Sequence, residues 1–219
     1  MVGSDRAGGR VPSVHTDVSI DWEVPPTSSG WAGRLERFMG PGKTRAESAV
    51  EAAGAAVCAG VLTAGIWSSG AHRDWSALHL AIVALASLDL IGGVLTNATN
   101  AAKRWYHRPA PAARRTRLLF VSAHLLHLAA MGLIVLSGDW TWTLANSALL
   151  LTGALAVELT PVELKRPLSM AVFMTAALTN LFWLEVPTAL AWFAPLFFLK
   201  LLVCHLVPEA PLERGRHHA

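Results

Sequence analysis

Six stretches of the chain are almost continuously apolar: residues 49–68, 76–100, 118–137, 141–160, 168–184 and 188–207. A helix rises about 1.5 Å per residue, so each is near the length that crosses a hydrocarbon layer of roughly 30 Å. The fifth is the shortest. An open strand cannot satisfy its backbone inside lipid, so the pattern predicts an all-α fold, a polytopic membrane helix bundle with six transmembrane helices. The connections after the first, third and fifth stretches are only a few residues long, which makes successive helices antiparallel neighbours.

The tails follow other patterns. Residues 1–29 are dominated by Pro, Gly, Ser and charge, with no apolar run behind a basic start, so they read as a disordered tail and not as a signal peptide. Trp31, Leu35, Phe38 and Met39 then recur at helical spacing, with Arg34 and Arg37 between them. This predicts a short interfacial amphipathic helix near residues 31–39. The expected organisation is a cytoplasmic tail over residues 1–46, a six-helix transmembrane domain over 47–208 and a second cytoplasmic tail over 209–219.

Composition agrees with lipid as the solvent, since 53% of residues are hydrophobic and 15% are charged. Such a balance is foreign to a water-soluble domain of this length. Cys58 and Cys204 both fall in apolar stretches and form neither a disulfide framework nor a zinc-type spacing. The basic residues are one-sided. Arg34, Arg37, Lys43 and Arg45 precede the first stretch, Lys103, Arg104, Arg108, Arg114, Arg115 and Arg117 fill the second connection, Lys165 and Arg166 the fourth, and Arg214 and Arg216 the tail. The other side has Arg73 alone. By the positive-inside rule both termini face the cytoplasm, and the expected location is the cell's inner (plasma) membrane. Trp67, Trp75, Trp140, Trp142, Trp183 and Trp192 fall at the outer boundary and Trp105 with Tyr106 at the inner one, as interfacial belts do.

Chemistry enters with the ionisable groups inside these stretches. Asp89 lies mid-way along the second and His124 and His127 lie on the third, where charge is costly and usually functional. At about 1.5 Å per residue, Asp89 is about 17 Å from the inner end of its helix, His127 about 15 Å and His124 about 10 Å, so they can share a layer. Asp89, Gly93, Thr96 and Asn100 form one helical stripe, and Gly92 and Gly93 permit close backbone approach or leave room for a ligand. Asp89, His124 and His127 could act as catalytic acid and base, or as ligands of a divalent metal such as zinc. The HExxH motif is absent. A haem is a weaker expectation, because the two histidines sit on one helix and His79 or His205 would have to supply the opposite ligand. Lys200, about 10 Å deep, is expected to snorkel to the inner surface.

The string from Thr96 to Pro109 joins the Asp89 helix to a loop rich in cations. Asn97, Asn100, Lys103, Arg104, His107 and Arg108 are its candidate substrate- or headgroup-binding residues, gripping a phosphate whose reactive part reaches Asp89. The expected partners are the lipid bilayer and its anionic headgroups on the cytoplasmic face; nucleic acid is not expected, because the basic residues form no separate domain. The small-residue run from Ala52 to Gly60 permits close helix packing, within the bundle or in an oligomer. Three functions fit these residues: a membrane-embedded enzyme acting on a lipid-like or anionic substrate, a proton-coupled transporter or channel with Asp89 titrating, and a non-catalytic scaffold whose polar residues only specify packing.

Overall fold

The computed structural model describes residues 18–214; residues 1–17 and 215–219, the far parts of both expected tails with Arg216 among them, lie outside the described residues. A short strand β1 (Val18–Ile20) leads to helix α1 (Gly30–Met39). Then come α2 (Arg45–Ser69), α3 (Ala77–Asn97) and the short α4 (Asn100–Tyr106). A composite third rod joins α5 (Ala113–Ala123), α6 (Leu125–Ala129) and a π-helical segment, Ala130–Val135. After it come α7 (Trp140–Leu159) and α8 (Val162–Phe182). The last rod joins a 3₁₀ turn, Thr188–Leu190, to α9 (Phe193–Phe198) and a second π segment, Leu199–His205. Strand β2 (Leu212–Arg214) closes the described chain.

Five of these rods are long and apolar enough to cross a membrane: α2, α3, the third rod Ala113–Val135, α7 and the last rod Thr188–His205. The expectation of six is met in part. Helix α8 has 21 residues, but Glu163, Lys165, Arg166 and Pro167 occupy its first two turns and dilute its apolar run. Lys165 donates to the carbonyls of Val157 and Glu158, at 2.6 and 2.9 Å, and so caps the end of α7.

Local sequence sets the helix ends. Thr44 and Glu47 form a reciprocal capping box at the start of α2, and Gly70, at φ 75°, ends it in the left-handed conformation. Between the third rod and α7 the chain reverses through Ser137 (φ 54°) and Gly138 (φ 90°). Asp139 then caps α7 by accepting from Trp142 N at 2.8 Å.

The interior is aromatic and aliphatic. Phe193 stacks on Phe197 with centroids 5.5 Å apart and meets Trp142 at a tilt, 5.8 Å away, in a buried cluster with Leu150, Phe198 and Leu201. The exterior is equally apolar. No residue of α2 is buried, and Val57, Val61 and Trp67 on it are about two-thirds exposed. A helix apolar on its outward face is stable in hydrocarbon and not in water.

One end of the bundle is clasped. Strands β1 and β2 pair antiparallel, Val18 opposite Arg214 and Ile20 opposite Leu212, and Asp21 N donates to Pro211 O at 3.0 Å. Glu36 accepts from both the backbone and the hydroxyl of Ser28, and Arg37 donates to Thr27 Oγ1 at 2.7 Å. Within residues 18–29, which composition assigns to a disordered tail, Val18 to Asp21 thus pair with residues 211–214, and Thr27 and Ser28 with α1.

Candidate functional site

Three rods meet around Asp89. It projects from the middle of α3 toward the third rod and the last one. The third rod is interrupted at His124 (ψ −5°), between α5 and α6, and the last is π-helical from Leu199. Both irregularities lie where a side chain is delivered to the carboxylate, and in the last rod the delivering turn is π-helical, a common use of that geometry.

All the contacts converge on one oxygen. Asp89 Oδ2 lies 2.5 Å from Lys200 Nζ, 3.1 Å from His127 Nε2 and 3.5 Å from His124 Nε2. Asp89 Oδ1 has no protein partner among the described residues. The two imidazoles stack with centroids 4.9 Å apart and planes 16° from parallel. His124 Nδ1 is 2.8 Å from Phe120 O. A carbonyl only accepts, so Nδ1 carries the proton and the Nε2 lone pair receives the Lys200 ammonium at 2.8 Å. Burial divides the four residues in two. The side chains of Lys200 and His124 are 2% and 7% exposed, whereas those of Asp89 and His127 are 36% and 29% exposed.

The sequence places Asp89, His124 and His127 in one layer, and the structure brings them together. Lys200 joins them and does not snorkel. Its side chain lies over Gly93, where an added Cβ would stand 2.3 Å from Lys200 Cε, so the absent side chain is the slot through which the ammonium reaches Asp89.

The donors of Asp89, His124 and His127 lie within 4.8 Å of one another, which suits a metal in residue type. The Lys200 ammonium, however, occupies the approach to both Asp89 Oδ2 and His124 Nε2. With that cation in place the cluster does not fit a divalent ion. Nor do the haem partners converge: His205 is wedged between Phe120 and Tyr106, centroids 4.3 and 5.1 Å away, and His79 lies about 15 Å up α3 from Asp89.

The loop cations turn inward, where the sequence suggests an exposed phosphate grip. Lys103 is buried and donates to Cys204 O and Val207 O, at 2.7 and 2.8 Å, capping the last rod; Glu209 pairs with it at 3.5 Å. Burial lowers its pKa, against the opposing pull of Glu209. Arg104 is buried facing Gly42 O and Asp21. His107 Nε2 donates to His205 O at 3.0 Å, and burial, reinforced by Lys103 and Arg117, pushes its pKa down to about 3. Arg108 lies 3.5 Å over the Trp105 ring and donates to that residue's carbonyl. Asn100 N donates to Glu47 Oε1 at 2.9 Å, tying α4 to α2. Of the six loop candidates only Asn97 faces the chamber beside Asp89.

That chamber, about 200 Å³, is walled by Asp89, Gly92, Gly93, Thr96 and Asn97 of α3, with Lys200, Tyr106 and Phe120. Phe38 and Met39 of α1 and Glu51 of α2 complete it. Glu51 is paired with Lys43 at 2.5 Å and accepts from the Thr96 hydroxyl. Glu51, Tyr106 and Phe120 carried no sequence signal of a site. No family model, curated protein or solved structure matches this chain.

Proposed function

We propose that the chain is a six-span inner-membrane protein with both termini cytoplasmic, and that Asp89 and His127 form the acid–base centre of a membrane-embedded enzyme acting on a lipid-like substrate. Parity supports the span count. The β1–β2 pairing holds the two ends of the described chain on one side of the bundle, which an odd number of crossings would forbid, so α8 counts as the remaining span. The one-sided distribution of Lys and Arg supports the orientation.

The observation that carries the enzymatic reading is where the site opens. Asp89 and His127 are its two partly exposed members. Around them, Leu85, one turn before Asp89 on the same stripe, Leu88 and Leu126 are exposed at 67%, 67% and 75%. A reactive pair at mid-helix, framed by outward-facing leucines, opens sideways into hydrocarbon, so its substrate comes from the bilayer. His127 Nε2 lies 3.1 Å from Asp89 Oδ2; with its proton on Nε2 the ring leaves the Nδ1 lone pair as general base, while Lys200 balances the carboxylate from behind. Transport is less well supported. Between this cluster and the Asn146–Asn180 pair toward the other end lie Leu150, Phe197 and Phe198, all at 0% exposure.

The test is conversion of lipid. Purified full-length protein in vesicles of total membrane lipid is compared by mass spectrometry with His127→Ala, whose folding is checked by its melting curve. At least one species should be consumed by the wild type and spared by the variant; identical lipid profiles across the pH range would remove the enzymatic reading.

A further inference from the structure

Size limits what the chamber admits. At about 200 Å³ it accommodates a small polar head and not a whole lipid. Leu88 lies on its rim and also lines an apolar groove of about 400 Å³ between α2 and α3, together with Leu62, Ile66 and Val83. The two spaces share that wall, so a molecule with its head beside Asp89 can lay its chain along α2. Gly92 faces open space on this side, since an added Cβ there would meet nothing within 4 Å.

Charge limits the head further. Two carboxylates face the chamber, and both cations near them are engaged, Lys200 by Asp89 and Lys43 by Glu51. A phosphate would stand against Asp89 and Glu51 beside cations already paired with them, and an ammonium would add a third positive charge to two carboxylates that each already hold one; burying either excess charge is costly. What the lining leaves unpaired suits neutral hydrogen-bonding groups. Asn97 is 5% exposed, faces the chamber and makes no side-chain hydrogen bond among the described residues, while Asp89 Oδ1 waits for a donor about two turns away along α3.

We propose that the chamber binds an uncharged head bearing several hydroxyl or amide groups on a single apolar chain, bridging Asn97 and Asp89 with the chain in the α2–α3 groove. This rests on the reading that the site opens to hydrocarbon, and it replaces the anionic substrate suggested by the loop cations with a neutral one.

Matched amphiphiles test it. The melting temperature of the full chain in detergent micelles is followed with monooleoylglycerol, with oleoyl lysophosphatidate, which adds a phosphate to the same head and chain, and with oleylamine. Monooleoylglycerol should stabilise the wild type saturably, with apparent affinity at least about tenfold tighter than the other two. Gly92→Leu, which fills that open space and should melt like the wild type in plain micelles, should abolish the effect, and Asn97→Ala should weaken it about tenfold. Preference for the lysophosphatidate or the amine overturns the neutral head and leaves a lipid-converting enzyme standing. Monooleoylglycerol stabilisation that survives Gly92→Leu, or disulfide-linked dimers of Leu88→Cys that mark a second copy over this face, overturns the chamber as the site. Retained binding with no lipid conversion would instead remove the enzymatic reading and keep this one.

Discussion

Exchanging Asp89 for Asn tests how the cluster is balanced, because the two charges of its central pair differ in burial. The substitution keeps the shape and removes the carboxylate, leaving the Lys200 ammonium, 2% exposed, facing the Asn oxygen and the His124 lone pair. Losing one partner of a buried ion pair costs about 3–5 kcal/mol. Lys200→Met removes the other charge at nearly constant volume. The carboxylate it strands is 36% exposed and keeps His127, so the cost should be nearer 1–3 kcal/mol, about that of an unsatisfied polar group. The double variant carries neither charge. It should be more stable than Asp89→Asn alone, with a coupling energy of at least about 2 kcal/mol. The assay is unfolding of the full chain in micelles titrated with a denaturing detergent, with all four proteins at one pH. If Asp89→Asn is no worse than Lys200→Met, or the double variant lies at the sum of the singles, Lys200 is not balancing Asp89.

Three further outcomes are expected. Lys200→Ala vacates the ammonium between Asp89 and His124, so the variant purified with zinc should retain close to one equivalent where the wild type retains little; equal content in both would show that Lys200 does not block a metal. Asn146 and Asn180 exchange amide hydrogen bonds at 3.2 and 2.7 Å, so Asn180→Leu should cost about 0.6–1.7 kcal/mol and the Asn146→Leu, Asn180→Leu pair less than twice that; strictly additive losses would contradict the pairing. His107 has a pKa near 3 in the folded chain against 6.5 free, so the folded state binds fewer protons between those values and loses stability as pH falls from about 6.5 toward 3. His107→Gln should flatten that acid limb of the melting temperature, and an unchanged limb would assign it to other groups.

Much of the site could be read from the sequence because a spanning helix converts residue number into depth. Asp89 and His127 fall in one layer by counting alone, and the stripe through Gly93 and Thr96 marks the face they share. Lys200 escaped for a physical reason. Counting gives its distance to the surface, which favours snorkelling, but the slot that diverts it is a missing side chain on another helix. The loop cations misled in the opposite way. A positive-inside count registers charges without their partners, and Lys103 spends its charge on the carbonyl end of the last rod, where the neutral His107 also donates. Pairing between β1 and β2 is invisible to composition because the partners stand at opposite ends of the chain. The mixed first turns of α8 keep it out of the five rods apolar enough to cross a membrane, since its charges serve the end of α7 and dilute its own apolar run.

The distance along the chain between Asp89 and Lys200, 111 residues, bears on how the protein is made. At about 5–20 residues per second, the lysine is synthesised roughly 5–20 s after the carboxylate. Helix α3 must therefore enter the bilayer on its own merits. A central Asp costs about 2.5–3.5 kcal/mol on the insertion scale, and the ten Leu, Ile and Val residues of Ala77–Asn97, at about 0.3–0.6 kcal/mol each, offset it with little to spare. The long aliphatic run around Asp89 is thus what lets a half-built protein hold an acid in the membrane until its counter-charge arrives.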